Sequence, residues 1–169
     1  INNIYWLLED CKRYGTLPFA GLARAGFIAV QMLQSMISVG IMSKNDYESF
    51  RRSLNVGSSQ IVRDKHILNK RKFLNKYGHL RPGTYDILSP RYDEAPDLYF
   101  DFSIKKKDYE KIKDISNFSL NLKQLNKLDK LLKIHKLDTD AVGLFEFLKS
   151  AIVMREHAKF LFTKNLSDA

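Results

Sequence analysis

One stretch of the chain gathers the side chains that could do chemistry. His79, Arg81, Asp86, Arg91, Asp93 and Glu94 follow one another closely, with Tyr77, Tyr85 and Tyr92 interleaved. A histidine titrates near neutral pH, so it can move a proton or bind an anionic or hydroxylated ligand. Arginine presents a planar fork that matches a carboxylate or phosphate. Aspartate can serve as a base. Each residue also has a plainer use. His79 can cap the helix that ends before it, Arg81 and Arg91 can clamp the stretch to Asp86, Asp93 or Glu94, and Asp86 can shape a turn. Tyr85 and Tyr92 fit packing better than catalysis. The candidate substrate-binding set is therefore His79, Arg81, Tyr85, Asp86 and Arg91, with no residue assigned as catalytic.

The surrounding sequence says what must hold this set. Three of the four prolines, Pro82, Pro90 and Pro96, lie in or just after the stretch, and Gly78 and Gly83 punctuate it. Loops this long are commonly functional or disordered, and disordered segments are poor in aromatic residues. The pattern predicts a long ordered loop over 78–103, packed on a helical bundle. Before it, residues 3–13 read as a helix ending near Gly15. Thr16-Leu17-Pro18 starts a second helix, with proline in its first turn, running to about Val39 and closed by Gly40. Its apolar positions Leu22, Gly26, Ala29, Leu33 and Met36 recur at helical spacing, and Phe27, Ile28 and Met32 widen the stripe, as in a central helix.

Ser43 and Asp46 form a capping box for a helix to about Leu54. One helix is expected from Ser58 to Tyr77, with Gly78 just past its end. Residues 104–116 are weakly helical. Leu120 to Leu137 reads as a helix, and Asp138-Thr139-Asp140 opens the last one, to about Asn165. No strand alternation or repeat is present, so the expected class is all-α with about six helices. In the last helix Arg155 and Lys159 fall on the apolar stripe, and Arg24 falls in the long apolar helix. These three cations are expected to point inward and support the loop's polar set.

The chain has 169 residues and a single cysteine, Cys11. One domain is the expectation at that length, here 1–169. An internal disulfide and a cysteine-based metal site are excluded, and a cytoplasmic home is favoured. The four histidines are too far apart for a local metal motif, so no metal ligand is assigned. Phosphate-binding glycine loops and hydrolase signatures are absent. The net charge is +9, concentrated in 105–136, where ten lysines face four acids. That run reads as a solvated face, with a nucleic-acid interface as the less favoured alternative: only Tyr109 and Phe118 are there to stack bases. A membrane span over 17–42 is disfavoured by Arg24, Gln31 and Gln34. The chain opens on Ile1 and runs directly into apolar residues, like a piece of a longer protein.

The run from Phe73 to Asp93, containing Tyr77-Gly78-His79-Leu80-Arg81-Pro82-Gly83-Thr84-Tyr85-Asp86, resembles the central region of proteins related to phosphoenolpyruvate synthase and pyruvate, phosphate dikinase. It is most similar to the divergent phosphoenolpyruvate-synthase-like group. Rifampicin phosphotransferases carry a looser Tyr-Gly-His-Arg-Gly form, with arginine where this chain has Leu80. Thr16 to Ala29 and Arg155 to Ser167 are similar to the same group. The resemblance implies a helical middle module of a multidomain phosphotransferase. Its partners would be an ATP-grasp domain using ATP and Mg²⁺ and a swivelling phosphohistidine domain. No ATP-grasp loop or phosphohistidine signature lies in this chain, so His79 is not the phosphohistidine and no cofactor is expected here. His79 and Arg81 would meet an acceptor of unassigned identity, and Arg24, Asp86, Arg91 and Arg155 would organise the site. The alternative is a non-catalytic scaffold whose loop only staples helices.

Overall fold

The computed structural model describes residues 2–54, 56–83, 86, 88–103 and 117–169. Tyr85 and the lysine-rich 104–116 lie outside the described residues. The described elements are α1 (Asn2–Asp10), a π-helical turn (Cys11–Thr16), α2 (Leu17–Ser38), α3 (Lys44–Ser53), α4 (Ser58–Ile67), α5 (Lys70–Tyr77), α6 (Pro96–Tyr99), α7 (Leu122–Ile134) and α8 (Ala141–Asp168). The fold is all-α, without strands among the described residues.

Two joints differ from the sequence expectation. α1, the π turn and α2 form one continuous helix, Asn2–Ser38. The Leu17 N–H reaches back five residues to the Lys12 carbonyl. Pro18 follows directly and has no N–H to give, so a widened turn carries the chain past it without a break. Conversely, the single helix expected over 58–77 is two. Leu68 is extended, and the Asn69 side chain accepts from the Lys72 N–H at 2.8 Å to cap α5. An asparagine that can cap offers the backbone a competing partner and restarts the helix.

The chain divides into two compact units, each drawn from separated stretches: Ile1–Phe19, Val56–Asp114 and Ala158–Ala169, and Ala20–Asn55 with Ile115–His157. In the second, Ala29, Leu33 and Met36 of α2, Leu128 and Leu132 of α7 and Leu144 and Leu148 of α8 are buried. Phe50, Phe118 and Phe145 pack with ring centroids 5.2–6.1 Å apart. Both ends of the Ser43–Asp46 capping box form, and Gln124, in its own box with Asn121, donates to Asp46 at 3.1 Å. Phe27 and Ile28 do not widen the buried stripe; they are 63% and 54% exposed. Only 17% of the most apolar window of Asn2–Ser38 is buried. By length and composition that helix is able to cross a membrane.

The first unit is built on aromatic contacts around α5. Phe73 and Tyr77 are buried against Phe100, Phe102 and Phe160. The Tyr77 hydroxyl donates to Asp64, itself only 8% exposed, at 2.6 Å, and Lys76 Nζ pairs with the same oxygen at 2.6 Å. Burial pushes the Asp64 carboxyl up, but Lys76 and Tyr77 outweigh it and hold the net value below normal. The loop closes on itself: the Tyr92 N–H donates to Leu80 O and the Asp93 N–H to Gly78 O. These two bonds fix the base of the loop, and α6 follows it.

Gly78 is not the left-handed cap that its position suggests. Its φ is −56°, ordinary helical backbone. Glycine is needed for space, because a Cβ would run into Leu74 O and lie 2.8 Å from Asp93 Cβ. Gly21, by contrast, lies within α2 with nothing near the missing Cβ. Gly78→Ala should cost about 1–3 kcal/mol through overpacking. Gly21→Ala should gain roughly 0.5–1 kcal/mol of helix propensity. Denaturant unfolding of the two variants checks both signs; equal effects would refute the close approach at Gly78.

Candidate functional site

The loop base delivers His79 directly from the end of α5 onto the last turns of α8. The ring lies edge-on to the Phe160 ring, centroids 4.9 Å apart. The His79 carbonyl accepts from Ser167 Oγ at 2.6 Å. His79 is 5% exposed, and its Nε2 is buried with no hydrogen-bond partner among the described residues. Burial depresses the His79 pKa below its usual 6.5; the charge of Lys164 adds to this, the Asp168 carboxylate opposes it, and Arg91 adds a smaller push downward. This direction favours the neutral ring.

A small polar pocket of about 20 Å³ is lined by His79, Leu80, Arg81, Thr163 and Ser167. That is room for one water-sized group. Orphaned buried polar atoms are rare in native structures, so this nitrogen marks the place where a ligand atom would be useful. Arg81 is half-buried at the same pocket, and its charge also acts on Asp86.

The other sequence candidates have structural work. Arg91 holds both oxygens of Asp93, at 3.0 and 2.8 Å, and reaches the Asp168 carboxylate at 2.9 Å and the Ser167 carbonyl at 3.2 Å. Its backbone N–H donates to Glu94 at 2.7 Å. Asp86 is exposed and closes its own turn, accepting from Ser89 Oγ at 2.6 Å and the Leu88 N–H at 3.1 Å. Those bonds, Ser89 first, hold its carboxyl below the usual range, so it is a poor base. Tyr92 packs on Tyr99 and Phe100.

The expectation of three inward cations is corrected. Arg24 and Lys159 are exposed. Arg155 is half-buried, but it pairs with its neighbour Glu156 at 2.7 Å and lies over the Phe27 ring at 5.8 Å, beside Gly26. The missing Cβ at Gly26 gives the arginine stem its room: a Cβ there would meet Arg155 Cδ at 2.8 Å. A long side chain starting on an apolar stripe can lie along the surface instead of entering the core.

Sequence reasoning missed the α8 side of the pocket. Thr163 is buried and donates to the carbonyls of Lys159 and Phe160. The only hint was its place, one helical turn before Ser167. A second cavity, about 260 Å³, lies in the other unit among Met32, Met36, Leu128, Leu131 and Leu144, with His135 at its edge. Among the described residues no group of three or more His, Cys, Asp or Glu side chains converges as a metal site. No protein-family model matches the chain, and no curated protein or solved structure matches it either.

Two outcomes follow from this geometry. Because the unfolded histidine takes up its proton at a higher pH than the folded one, stability should be level above pH 6.5 and fall as pH drops below it. The decline should end once the folded ring is protonated, and His79→Asn should remove it; an unchanged slope in that variant would refute a buried neutral ring. Arg91→Ala should cost about 1–2 kcal/mol, at the lower end because its two acids are partly exposed. Hydrogen exchange should then accelerate over residues 164–168 and stay unchanged in α7.

Proposed function

We propose that this chain is the acceptor-binding helical module of a phosphoenolpyruvate-synthase-like phosphotransferase, located in the cytoplasm and inactive alone. ATP and Mg²⁺ would be used on a neighbouring ATP-grasp domain of the parent protein, and a phosphohistidine domain would carry the phosphoryl group. The acceptor's reacting end would sit in the pocket of His79 and Arg81. The observation that carries this reading is the buried Nε2 of His79, without a hydrogen-bond partner among the described residues, at a small polar pocket that Arg81 also lines. Arg81 supplies the positive charge that favours negative charge developing on a phosphoryl group. Arg91 and Asp86 act in this reading as supports of the loop and not as ligand contacts.

A scaffold remains the second reading, and a specific observation favours it: Arg91, Asp93, Ser167 and Asp168 spend their polar groups on fastening the loop to α8. The two readings separate in a thermal-shift screen of the chain against phosphate, phosphoenolpyruvate, pyruvate, ATP and hydroxylated metabolites. A ligand at about a hundred times its Kd adds roughly 2.7 kcal/mol, on the order of 5–11 °C in a protein of this size. The acceptor reading expects such a shift, lost in Arg81→Ala while that variant keeps most of its own stability. A variant that is merely less stable, with no ligand effect in either protein, supports the scaffold.

A further inference from the structure

The cavity of the second unit has no part in the His79 site. Its walls come from α2, the turn that follows it, α7 and the start of α8, and its volume is about 260 Å³. Met32, Met36, Leu128, Leu131 and Leu144 line the interior. Only two polar side chains reach the cavity, and one of them, Ser35, has already given its hydroxyl proton to the Gln31 carbonyl at 3.0 Å. An interior walled by hydrocarbon and thioether offers ordered water few partners, and an apolar cavity of about 150 Å³ is enough for a benzene ring. On that scale this volume admits roughly ten carbons. Methionine side chains adapt to the shape of what they enclose.

The rim differs in kind. His135, the other polar side chain, is exposed and makes no hydrogen bond or ion pair among the described residues. Lys136 follows it with φ of 54°, the only non-glycine residue with a positive φ among the described residues. The Lys136 and Leu137 N–H groups return to the Lys133 and Leu132 carbonyls at 3.2 and 3.0 Å, a helix end at which glycine is the usual residue. Glycine would take that conformation freely, so α7 gives up stability for a lysine here. Strain of this kind gathers where a side chain has a task. Over 127–137 four lysines stand with one aspartate, and that aspartate, Asp129, is held by the Ala141 N–H at 2.7 Å. Of the next two acids, Asp140 accepts from the Gly143 N–H and Asp138 is exposed. The rim therefore favours an anion, while the interior favours hydrocarbon.

We infer that this cavity binds a free single-chain anionic amphiphile: the hydrocarbon tail fills the interior, and its carboxylate or phosphate meets His135 and Lys136 at the rim. The volume accommodates one short tail, which suits a free molecule better than a two-chain lipid held in a bilayer.

The chain's four methionines give the test its own controls. Met32 and Met36 line the cavity, whereas Met42 is buried outside it and Met154 is exposed on α8. With ¹³C-methyl methionine in the whole chain, octanoate, octan-1-ol and butyrate are titrated at low ionic strength. Octanoate should move the Met32 and Met36 methyl resonances saturably and leave the other two in place. Butyrate, four methylenes shorter, should bind on the order of a hundredfold more weakly. Octan-1-ol should bind about threefold more weakly than octanoate, and added salt should remove that margin. Lys136→Gly should raise the thermal midpoint and abolish the preference for octanoate, a gain of stability paired with a loss of selectivity. Val39→Trp, at an exposed rim position, should block both eight-carbon ligands while circular dichroism stays native. No movement of Met32 and Met36 by any probe, equal movement of all four methionines, or octanoate binding unchanged in Val39→Trp overturns the site. Octan-1-ol binding as tightly as octanoate, or a Lys136→Gly variant that keeps the preference, overturns the anionic head group.

Discussion

The first unit depends on how the loop is fastened to the end of α8. Three hydrogen bonds do this within a few residues: Ser167 Oγ to the His79 carbonyl, and Arg91 to both the Ser167 carbonyl and the Asp168 carboxylate. A helix C-terminus has carbonyls without intrahelical donors, and a guanidinium there answers both the hydrogen-bonding deficit and the negative end of the helix dipole. The same part of α8 helps to bury His79, whose ring packs on Phe160.

That arrangement sorts the loop's polar residues into two groups. Arg91, Asp93, Asp86 and Glu94 satisfy one another or the backbone, as expected of a long loop that must account for its own donors and acceptors. The bifurcation of Arg91 between Asp93 and α8 makes it a strut. His79 differs because its buried Nε2 has no hydrogen-bond partner among the described residues. A buried polar atom left without a partner costs on the order of 1–3 kcal/mol. The surrounding aromatic contacts of Phe160, Tyr77 and Phe73 are what can sustain that cost.

Much of the helical frame was legible from the sequence because local chemistry decides it. Gly40 closes α2 with φ of +70°, the Ser43–Asp46 box forms as its spacing demands, and Ala29, Leu33 and Met36 are buried as their periodicity requires. The misses share one cause: they turn on contacts with residues distant in sequence or on competition between near-equal local choices. Asn69 looked like one more polar helix residue, yet its capping bond divides 58–77. Gly78 looked like a left-handed cap, yet Asp93, fifteen residues on, sets the need for glycine. Arg24, Arg155 and Lys159 looked inward by phase alone. Phase gives the direction of Cβ, whereas a long cationic stem can bend back over the surface.

For the candidate site, residue type and spacing could not rank the polar members of the stretch. His79 and Arg91 are equally conspicuous as types, and nothing in their spacing says that one is fully engaged and the other is not. The distinction is made by α8, which arrives from the far end of the chain and brings Ser167, Asp168 and Thr163 to the loop. Ser167 and Asp168 occupy Arg91 and the backbone of His79, and Thr163 keeps its proton for its own helix. What remains is therefore a residual: the buried Nε2 has no hydrogen-bond partner among the described residues, while the hydroxyls of Ser167 and Thr163 donate to backbone carbonyls. Such a residual is set by the neighbours that α8 brings and not by the histidine itself.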